Sequence, residues 1–267
     1  MRKVSRMLDH MLVRSGYNSE LRPGVRGVTV VSVNIAVTTL GPVEDEHQTL
    51  VLTCYLRHSW RDSRLSFSHF ISLNMSTLSL NWIFLDNIWK PDTYVLGGRE
   101  SFLHRITSPN RLVRLAQDGT ISYSQRLTIA TNCRMNLRKF PMDVQQCSLE
   151  LSSFGFTRDE LMYEWSGDAP VSIDQLAIND YTFTGLETGV RNMSSKLGHH
   201  SVLSVQFRLS RTLGFYFLRT YFPLMIIVTS SWVSFWLVRT PAGGEIVARV
   251  GLGITCCLGE HIIKINQ

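Results

Sequence analysis

The sequence has 267 residues, with 27 Lys and Arg against 21 Asp and Glu and a formal net charge of +6 at pH 7. Because this excess is small and like charges do not cluster, the composition argues against a nucleic-acid-binding protein. The length allows one large domain and a smaller element, and the hydrophobic content of 44% is ordinary for a globular chain.

The first twenty residues form a charged, amphipathic lead-in. Its apolar side chains recur at helical spacing, at Val4, Met7, Leu8, Met11 and Leu12. This spacing predicts a surface helix within residues 1–20. The segment lacks the long apolar run and the cleavage site of a secretory signal peptide, so we expect the start of a translocated chain to be missing here.

Residues 21–213 read as many short strands. Stretches rich in β-branched residues occur at 28–37, 49–57 and 119–129, and turn pairs such as Asp118-Gly119 separate runs of this kind. Strands at short spacing, without long helical repeats between them, predict an all-β antiparallel sandwich of the immunoglobulin-like type. We expect this β-domain to end near Gly214.

An uncharged stretch of 19 residues, Thr220–Val238, follows the predicted sandwich. As a helix it would be about 28 Å long, close to the thickness of a bilayer's hydrocarbon core. One arginine flanks each end, and two tryptophans lie towards its C-terminal side, where interfacial aromatics are favoured. The pattern predicts a transmembrane helix at 214–239, with a buried core helix as the alternative.

Cys133 and Cys147 enclose thirteen residues, with a Phe-Pro-Met-Asp run at 140–143. In an oxidising compartment we expect the two cysteines to pair, which would close a loop of about 15 residues and stabilise the fold by about 3 kcal/mol. The proline and the preceding aromatic would give the loop a stiff turn and an apolar tip. The alternative is a disulfide that only staples the sandwich.

The other cysteines and two glycosylation sequons are weaker indications of structure and location. Cys54 lies in a predicted strand and should be a buried small hydrophobe, whereas the vicinal pair at 256–257 is too close for an ordinary disulfide and too small for a zinc site. Asn74 and Asn192 each begin an Asn-X-Ser sequon, which is consistent with an extracellular β-domain.

Motifs of catalysis do not occur in the sequence. It has no nucleophile elbow, phosphate loop or HExxH run, and so it indicates neither an enzyme nor a bound cofactor or metal. His199-His200 could bind zinc or respond to pH, but two adjacent histidines are more often an exposed loop tip.

Several blocks beyond the cysteine loop resemble the Cys-loop pentameric ligand-gated ion channels, in the GABA-A and glycine receptor branch. The blocks are Trp60–Leu65, Ile88–Tyr94, Pro109–Leu115, Asp118–Thr120, Arg126–Thr128, Ser153–Thr157, Tyr163–Trp165 and Trp232–Trp236. The run at 157–165 is most similar to alpha and gamma subunits, so the chain looks like an invertebrate-type GABA-A receptor subunit that is truncated at its C-terminus.

The resemblance implies a set of partners and a location. The ligand would be GABA or a similar small transmitter, and the chain would join other receptor subunits in a pentamer, as one member of a hetero-oligomer. The protein would lie in the postsynaptic plasma membrane, in contact with lipid and with its β-domain outside the cell.

Transmitters of this family bind between neighbouring subunits, and four residues match the complementary face of such a site: Tyr55, Arg57, Ser124 and Arg126. Tyr55 and Arg57 alternate along one strand, and Ser124 and Arg126 along another, so the two side chains of each pair point to the same side. Arginine suits the carboxylate of GABA, because its guanidinium can donate two parallel hydrogen bonds. The alternative is that both arginines are solvated strand residues.

On the principal face, the resemblance implies Tyr94, Ser153 and Phe154 as ligand-binding residues. Two departures weaken this face. Ser152 stands where transmitter-binding beta-type subunits carry an acidic residue, and the segment 194–201, which should close over the ligand, has no Phe or Tyr. We therefore expect the aromatic cage for the amine, which works by cation–π attraction, to be incomplete in this chain.

Gating and ion selection are implied at two further places. Phe140, Pro141 and Asp143 would couple the β-domain to the first membrane helix. The residues after it resemble the beginning of a pore-lining helix, in which Glu245, Val247, Ala248 and Arg249 would bear on selectivity. The alanine and the arginine match anion-selective relatives, whereas the glutamate and the valine depart from them, so a chloride channel is favoured.

The likeness ends after Thr255, and the tail of the segment 240–267 diverges. The alternative function is therefore a truncated, non-conducting receptor domain that acts in subunit assembly or sequesters ligand or partners.

Overall fold

A computed structural model describes residues 2–68, 75–176, 178, 180–196, 198–236, 250–251 and 253–254. The chain divides into two compact units. Residues 1–136 and 144–210 make up the first, which we call the β-unit. Residues 137–143 and 211–267 make up the second, the loop–helix unit, which joins the tip of the cysteine loop to the helical segment.

The β-unit begins with helix α1 (Arg2–Asp9), which continues as a π-helical turn (His10–Arg14). The described strands are β1 (Thr29–Glu44), β2 (Thr49–Arg61), β3 (Thr77–Leu80), β4 (Thr93–Leu96), β5 (Gly98–Leu103), β6 (Arg111–Ala116), β7 (Thr120–Asn132), β8 (Val144–Ser153), β9 (Leu161–Trp165), β10 (Val171–Ile173), β11 (Tyr181–Ser195) and β12 (Gly198–Arg211). Short 3-10 helices lie at Ser63–Leu65 and Trp82–Asp86, and a third, Leu137–Lys139, belongs to the loop–helix unit.

These strands form two sheets. The larger has the order β10-β1-β2-β7-β6-β3, with β9 also paired to β1 and β5 also paired to β7, and the smaller has the order β11-β12-β8-β4. The predicted all-β sandwich is confirmed. Most strand pairs are antiparallel, as expected, but β9 and β10 run parallel to β1. The chain reaches β9 by crossing from β8 in the other sheet, and such a connection, unlike a hairpin, allows parallel pairing.

Strand β2 shows how each sheet divides its residues between the core and the surface. Its even positions from Leu50 to Trp60 are buried, whereas Tyr55, Arg57 and Arg61 are exposed. Successive side chains of a strand point to opposite faces, so the even set packs into the core and the odd set stays available. Cys54 belongs to the even set, and burial raises the pKa of its thiol to about 12. It is therefore the buried small hydrophobe that was predicted.

The lead-in is fixed to the β-unit through Tyr17 and Asp62. The Tyr17 hydroxyl donates to Asp62 Oδ2 at 2.9 Å and accepts from the backbone N–H of Trp89 at 3.1 Å. Arg64 donates to both oxygens of Asp62, and its guanidinium lies 4.4 Å from the centre of the Tyr17 ring. Burial raises the pKa of Tyr17 to about 12. The predicted N-terminal helix is present, and it ends at Arg14 rather than reaching this anchor.

The turn between β6 and β7 depends on Gly119. Its φ is +88°, and a Cβ atom at this position would collide with the backbone oxygen of Asp62. The Gly119 carbonyl in turn accepts from the backbone N–H of Asp62 at 2.9 Å. The turn predicted at Asp118-Gly119 is therefore a close contact between two backbones, which only glycine permits.

The loop–helix unit carries the segment for which a membrane helix was predicted. It contains α2 (Leu213–Tyr216), a π-helical turn (Phe217–Tyr221), α3 (Phe222–Val233) and a 3-10 turn (Ser234–Trp236). Across the part of the chain that the structure describes, no helix combines the length and the apolar character needed to cross a bilayer.

Candidate functional site

The two cysteines of the loop are joined. Cys133 and Cys147 form a disulfide with their Cα atoms 4.5 Å apart, and both residues are fully buried. Cys147 lies on β8, opposite Phe207 of β12, so the bond holds the base of the loop against the core of the smaller sheet. The predicted pairing is confirmed.

At the tip of the loop, Asp143 is held by Arg211. The Arg211 Nε donates to Asp143 Oδ1 at 2.8 Å and Nη2 donates to Oδ2 at 3.2 Å, while the Arg211 backbone N–H donates to the Asp143 carbonyl at 3.1 Å. Neither side chain is more than 2% exposed. A bidentate pair of this kind is the strongest form of a hydrogen-bonded ion pair. The sequence led us to expect the loop tip to meet the chain near Arg211 to Arg219, and the structure shows the contact as this ion pair.

Two aromatic rings complete this cluster. The Arg211 Nη1 donates to the Tyr216 hydroxyl at 2.6 Å, and the guanidinium lies 5.0 Å from the ring centres of both Tyr216 and Phe140. Those two rings meet edge to face, with their centres 5.2 Å apart. The Phe140-Pro141 peptide bond is cis. The predicted loop tip therefore consists of a buried charge pair with an aromatic cover that is 43% exposed at Phe140.

The structure brings the four predicted complementary-face residues together. In the register of β2 and β7, Tyr55 lies opposite Arg126 and Arg57 lies opposite Ser124. Since each pair alternates along its strand, all four share one face of the larger sheet. We call these four residues the β2–β7 face. Tyr55 and Arg57 are exposed, and Ser124 and Arg126 are half-buried.

Hydrogen bonding on the β2–β7 face leaves donors available. Arg57 Nη1 donates to Asn34 Oδ1 at 3.2 Å, which orients the guanidinium without neutralising it. The Nε of Arg126 is buried and has no hydrogen-bond partner among the described residues. Two cations beside a tyrosine ring can receive a carboxylate, through paired N–H donors and without a metal ion. Asn34 was not predicted, and its place opposite Arg57 in β1 is visible only in the register.

The second predicted face lies on the smaller sheet. Tyr94 of β4 and Phe154, just after β8, meet edge to face with ring centres 5.6 Å apart, and Phe154 is 76% exposed. Ser153 is buried instead, so its predicted contact with ligand is not supported by its position. Its hydroxyl donates to Asp92 Oδ1 at 2.6 Å and accepts from the Phe156 N–H at 2.9 Å. It thus shapes the turn that presents Phe154.

The histidine pair is not the exposed tip that was expected. His199 is exposed, but His200 is only 5% exposed, because it occupies an inward position of β12. Its Nδ1 lies 3.0 Å from the carbonyl oxygen of Phe156. Among the described residues no group of three or more His, Cys, Asp or Glu side chains could hold a metal ion.

The remaining predicted residues divide between the described and undescribed parts of the chain. Asn192 is exposed on β11. Asn74 and the predicted selectivity residues lie outside the described residues; the latter are Glu245, Val247, Ala248 and Arg249.

Comparison with known proteins identifies the family of the chain. Residues 4–213 match the family described as neurotransmitter-gated ion-channel ligand binding domain. The gamma-aminobutyric acid receptor subunit alpha-2 of Bos taurus is 36% identical over an alignment that covers 98% of this chain and 57% of that protein. The chain thus spans little more than half the length of this relative.

Proposed function

The chain belongs to the family of neurotransmitter-gated ion-channel ligand-binding domains, and from this premise we propose that it is a subunit of a GABA-gated chloride channel. The resemblance to GABA-A receptor subunits is confirmed by the same comparisons, and the family is one of receptors rather than enzymes. In our proposal the subunit lies in the postsynaptic plasma membrane with its β-unit outside the cell. Chloride selectivity rests on Ala248 and Arg249, as the sequence suggests.

The observation that carries this proposal is the arrangement of the β2–β7 face. GABA is a zwitterion, and its carboxylate requires donors that are held in place before the ligand arrives. Arg57 and Arg126 lie on adjacent strands of one sheet, and the exposed Tyr55 lies directly opposite Arg126. In our proposal they bind the carboxylate, with Ser124 as an additional donor.

The ammonium end of the ligand is bound by a neighbouring subunit. A cation needs aromatic faces and a carboxylate near them. In this chain the aromatic pair is Tyr94 and Phe154. The position two residues before Phe154 is Ser152, which is buried and whose hydroxyl donates to the Ser201 carbonyl at 3.0 Å. An acidic group is thus lacking at this position. We therefore propose that this chain supplies the complementary face in a hetero-pentamer and that a beta-type subunit supplies the principal face.

Gating acts through the loop–helix unit in this proposal. Asp143 is on the cysteine loop, and Arg211 and Tyr216 are at the entrance to the helical segment, so one cluster joins both parts within the unit. A ligand opens a channel only if it binds the open state more tightly than the closed state. An element that has a different arrangement in each state must connect the binding site to the pore. We propose that this cluster is part of that element.

The test is binding of labelled GABA to membranes from cells that co-express this chain with a beta-type GABA-A subunit. Arg57→Ala should raise the Kd at least tenfold, because a charge-assisted carboxylate contact is lost. Arg61→Ala is the matched control, since it removes an exposed arginine from the same strand and should leave the Kd unchanged. Equal Kd values for wild type and Arg57→Ala, at equal surface expression, would contradict the proposed site.

A further inference from the structure

A cavity of about 300 Å³, half open to solvent, lies in the β-unit, on the side of β2 opposite to the β2–β7 face. Its lining includes His58, Leu85, Pro91, Arg111, Tyr123 and Gln125. His58 is an even-numbered residue of β2 and points inward, whereas Tyr55 and Arg57 point outward. The cavity is therefore separate from the proposed transmitter site, although both use the same strand.

His58 is buried without the hydrogen bonds that a histidine needs. It is 3% exposed, and neither ring nitrogen has a partner among the described residues. Its ring stacks on that of Tyr123 with the centres 6.0 Å apart. Burial lowers the pKa of His58 to about 4, so the ring is neutral at pH 7 and carries one N–H donor. Leaving such a donor unpaired costs about 1–3 kcal/mol, which a ligand in the cavity would offset.

The cavity also contains a cation, Arg111, that has no counter-ion among the described residues. Arg111 begins β6, and the register places it opposite Gln125 of β7. Its side chain makes no ion pair or hydrogen bond with any residue in the described ranges. The Tyr123 hydroxyl donates to Gln125 Oε1, so the group of Gln125 that remains for a ligand is its amide donor.

The acidic side of the cavity is already satisfied. Asp92 Oδ1 accepts from the Ser153 hydroxyl at 2.6 Å, and Oδ2 accepts from the Gly155 N–H at 2.6 Å. Lys90 is paired with Asp86 at 3.5 Å on the surface. Among the described residues the lining therefore has unpaired donors, at His58, Arg111 and Gln125, but no oxygen of Asp92 without a donor, and this favours an anion over a cation.

We infer that the cavity between His58 and Arg111 binds a small carboxylate. A planar carboxylate with two oxygens fits the guanidinium fork and leaves an oxygen for a second donor, from His58 or Gln125. Leu85 and Pro91 supply apolar lining for a short carbon chain. The volume lies at the lower end of the range for small-molecule sites, so the ligand has only a few carbon atoms.

Acetate is the probe, added to the full chain in lipid nanodiscs at constant ionic strength, with chloride as the balancing anion. Saturation-transfer NMR on the acetate methyl group should show contact with the protein, and the thermal unfolding midpoint should rise with acetate concentration. Arg111→Gln should weaken acetate binding at least tenfold. Arg114→Gln, an exposed arginine on the same strand, should bind like wild type.

Further variants keep the result interpretable. Arg111→Lys serves as a second variant in case Arg111→Gln does not fold. It retains the positive charge but not the two parallel N–H donors of the guanidinium, so it should bind acetate more weakly than wild type. The same comparison is repeated in an Arg57→Ala background, in which acetate that still depends on Arg111 is bound in the cavity and not at the proposed transmitter site. Equal responses to acetate and to neutral acetamide, or wild-type acetate binding in Arg111→Lys, would show that the cavity holds only water and would overturn the inference.

Discussion

Asp143 and Arg211 are 68 positions apart in the sequence and form a bidentate ion pair from which solvent is almost completely excluded. The pair lies where the disulfide-closed loop meets the chain that leads out of β12. Two buried charges are tolerated only when their hydrogen bonds are well formed, because each loses its hydration on burial. The Tyr216 hydroxyl and the backbone N–H of Arg211 provide additional contacts.

Breaking this pair should be more damaging than removing both charges. Asp143→Asn leaves a buried guanidinium without its counter-ion, and we expect it to lower the free energy of unfolding by about 3–5 kcal/mol. The double variant Asp143→Asn with Arg211→Gln should lose less than the sum of the two single variants. Urea unfolding of all four proteins measures this coupling. Strict additivity of the two single effects would show that the pair does not act as a unit.

The disulfide should stabilise the β-unit mainly by restricting the unfolded chain. Cys133→Ser opens a loop of about 15 residues and should cost about 3 kcal/mol, as measured by urea unfolding under non-reducing conditions. Cys54→Ala is the matched control, because it removes a buried cysteine that has no disulfide. Adding a reductant should destabilise wild type and Cys54→Ala but leave Cys133→Ser unchanged. If the reductant lowered the stability of Cys133→Ser as much as that of wild type, the effect of the reductant would not come from this disulfide.

The aromatic pair on the smaller sheet should depend on Asp92. This carboxylate accepts from both Ser153 and Gly155, and so it fixes the turn that carries Phe154. Asp92→Asn exchanges two charge-assisted hydrogen bonds for weaker ones, and we expect a loss of about 1–3 kcal/mol in unfolding free energy. Asp86→Asn, which changes an exposed carboxylate, should stay within about 0.5 kcal/mol of wild type. Similar losses in the two variants would argue against a special role for Asp92.

The sequence was sufficient for those features that follow from local periodicity. Alternation along β2 and β7 predicted that Tyr55 and Arg57 share a side, as do Ser124 and Arg126, and the register then placed the two pairs next to each other. The disulfide was predictable from its spacing and the family resemblance. In each case the evidence lies within about fifteen residues, a range over which strand period and turn chemistry decide the structure.

Features that depend on contacts between distant segments were not predictable. The family resemblance placed the loop tip near Arg211, but the local sequence does not identify the Asp143–Arg211 ion pair itself. Nor does it show that the Ser153 hydroxyl donates to Asp92 while Phe154 stays exposed. The burial of His200 has the same origin, since it depends on where β12 passes the Phe156 carbonyl. Such relationships come from the packing of one element on another, which a single sequence does not record.

Stability should fall in mild acid because His58 is buried as a neutral ring. The pKa of His58 is lowered to about 4 by burial, whereas that of an unfolded histidine is about 6.5. Below about pH 6.5 the unfolded chain takes up a proton that the folded protein does not, so stability is lost as the pH falls towards about 4. Between pH 7 and pH 5, His58 alone should lower the free energy of unfolding by about 2 kcal/mol.

The measurement is urea unfolding of wild type, His58→Gln and His47→Gln at pH 7 and pH 5. His58→Gln should lose less stability on acidification than wild type, by about 2 kcal/mol, because glutamine does not titrate. His47→Gln removes an exposed histidine and should behave as wild type. Tyr123, Arg111, Lys90 and Asp92 line the same cavity as His58, and all four are unchanged in both variants. If His58→Gln loses as much stability in acid as wild type does, His58 is protonated in the folded protein.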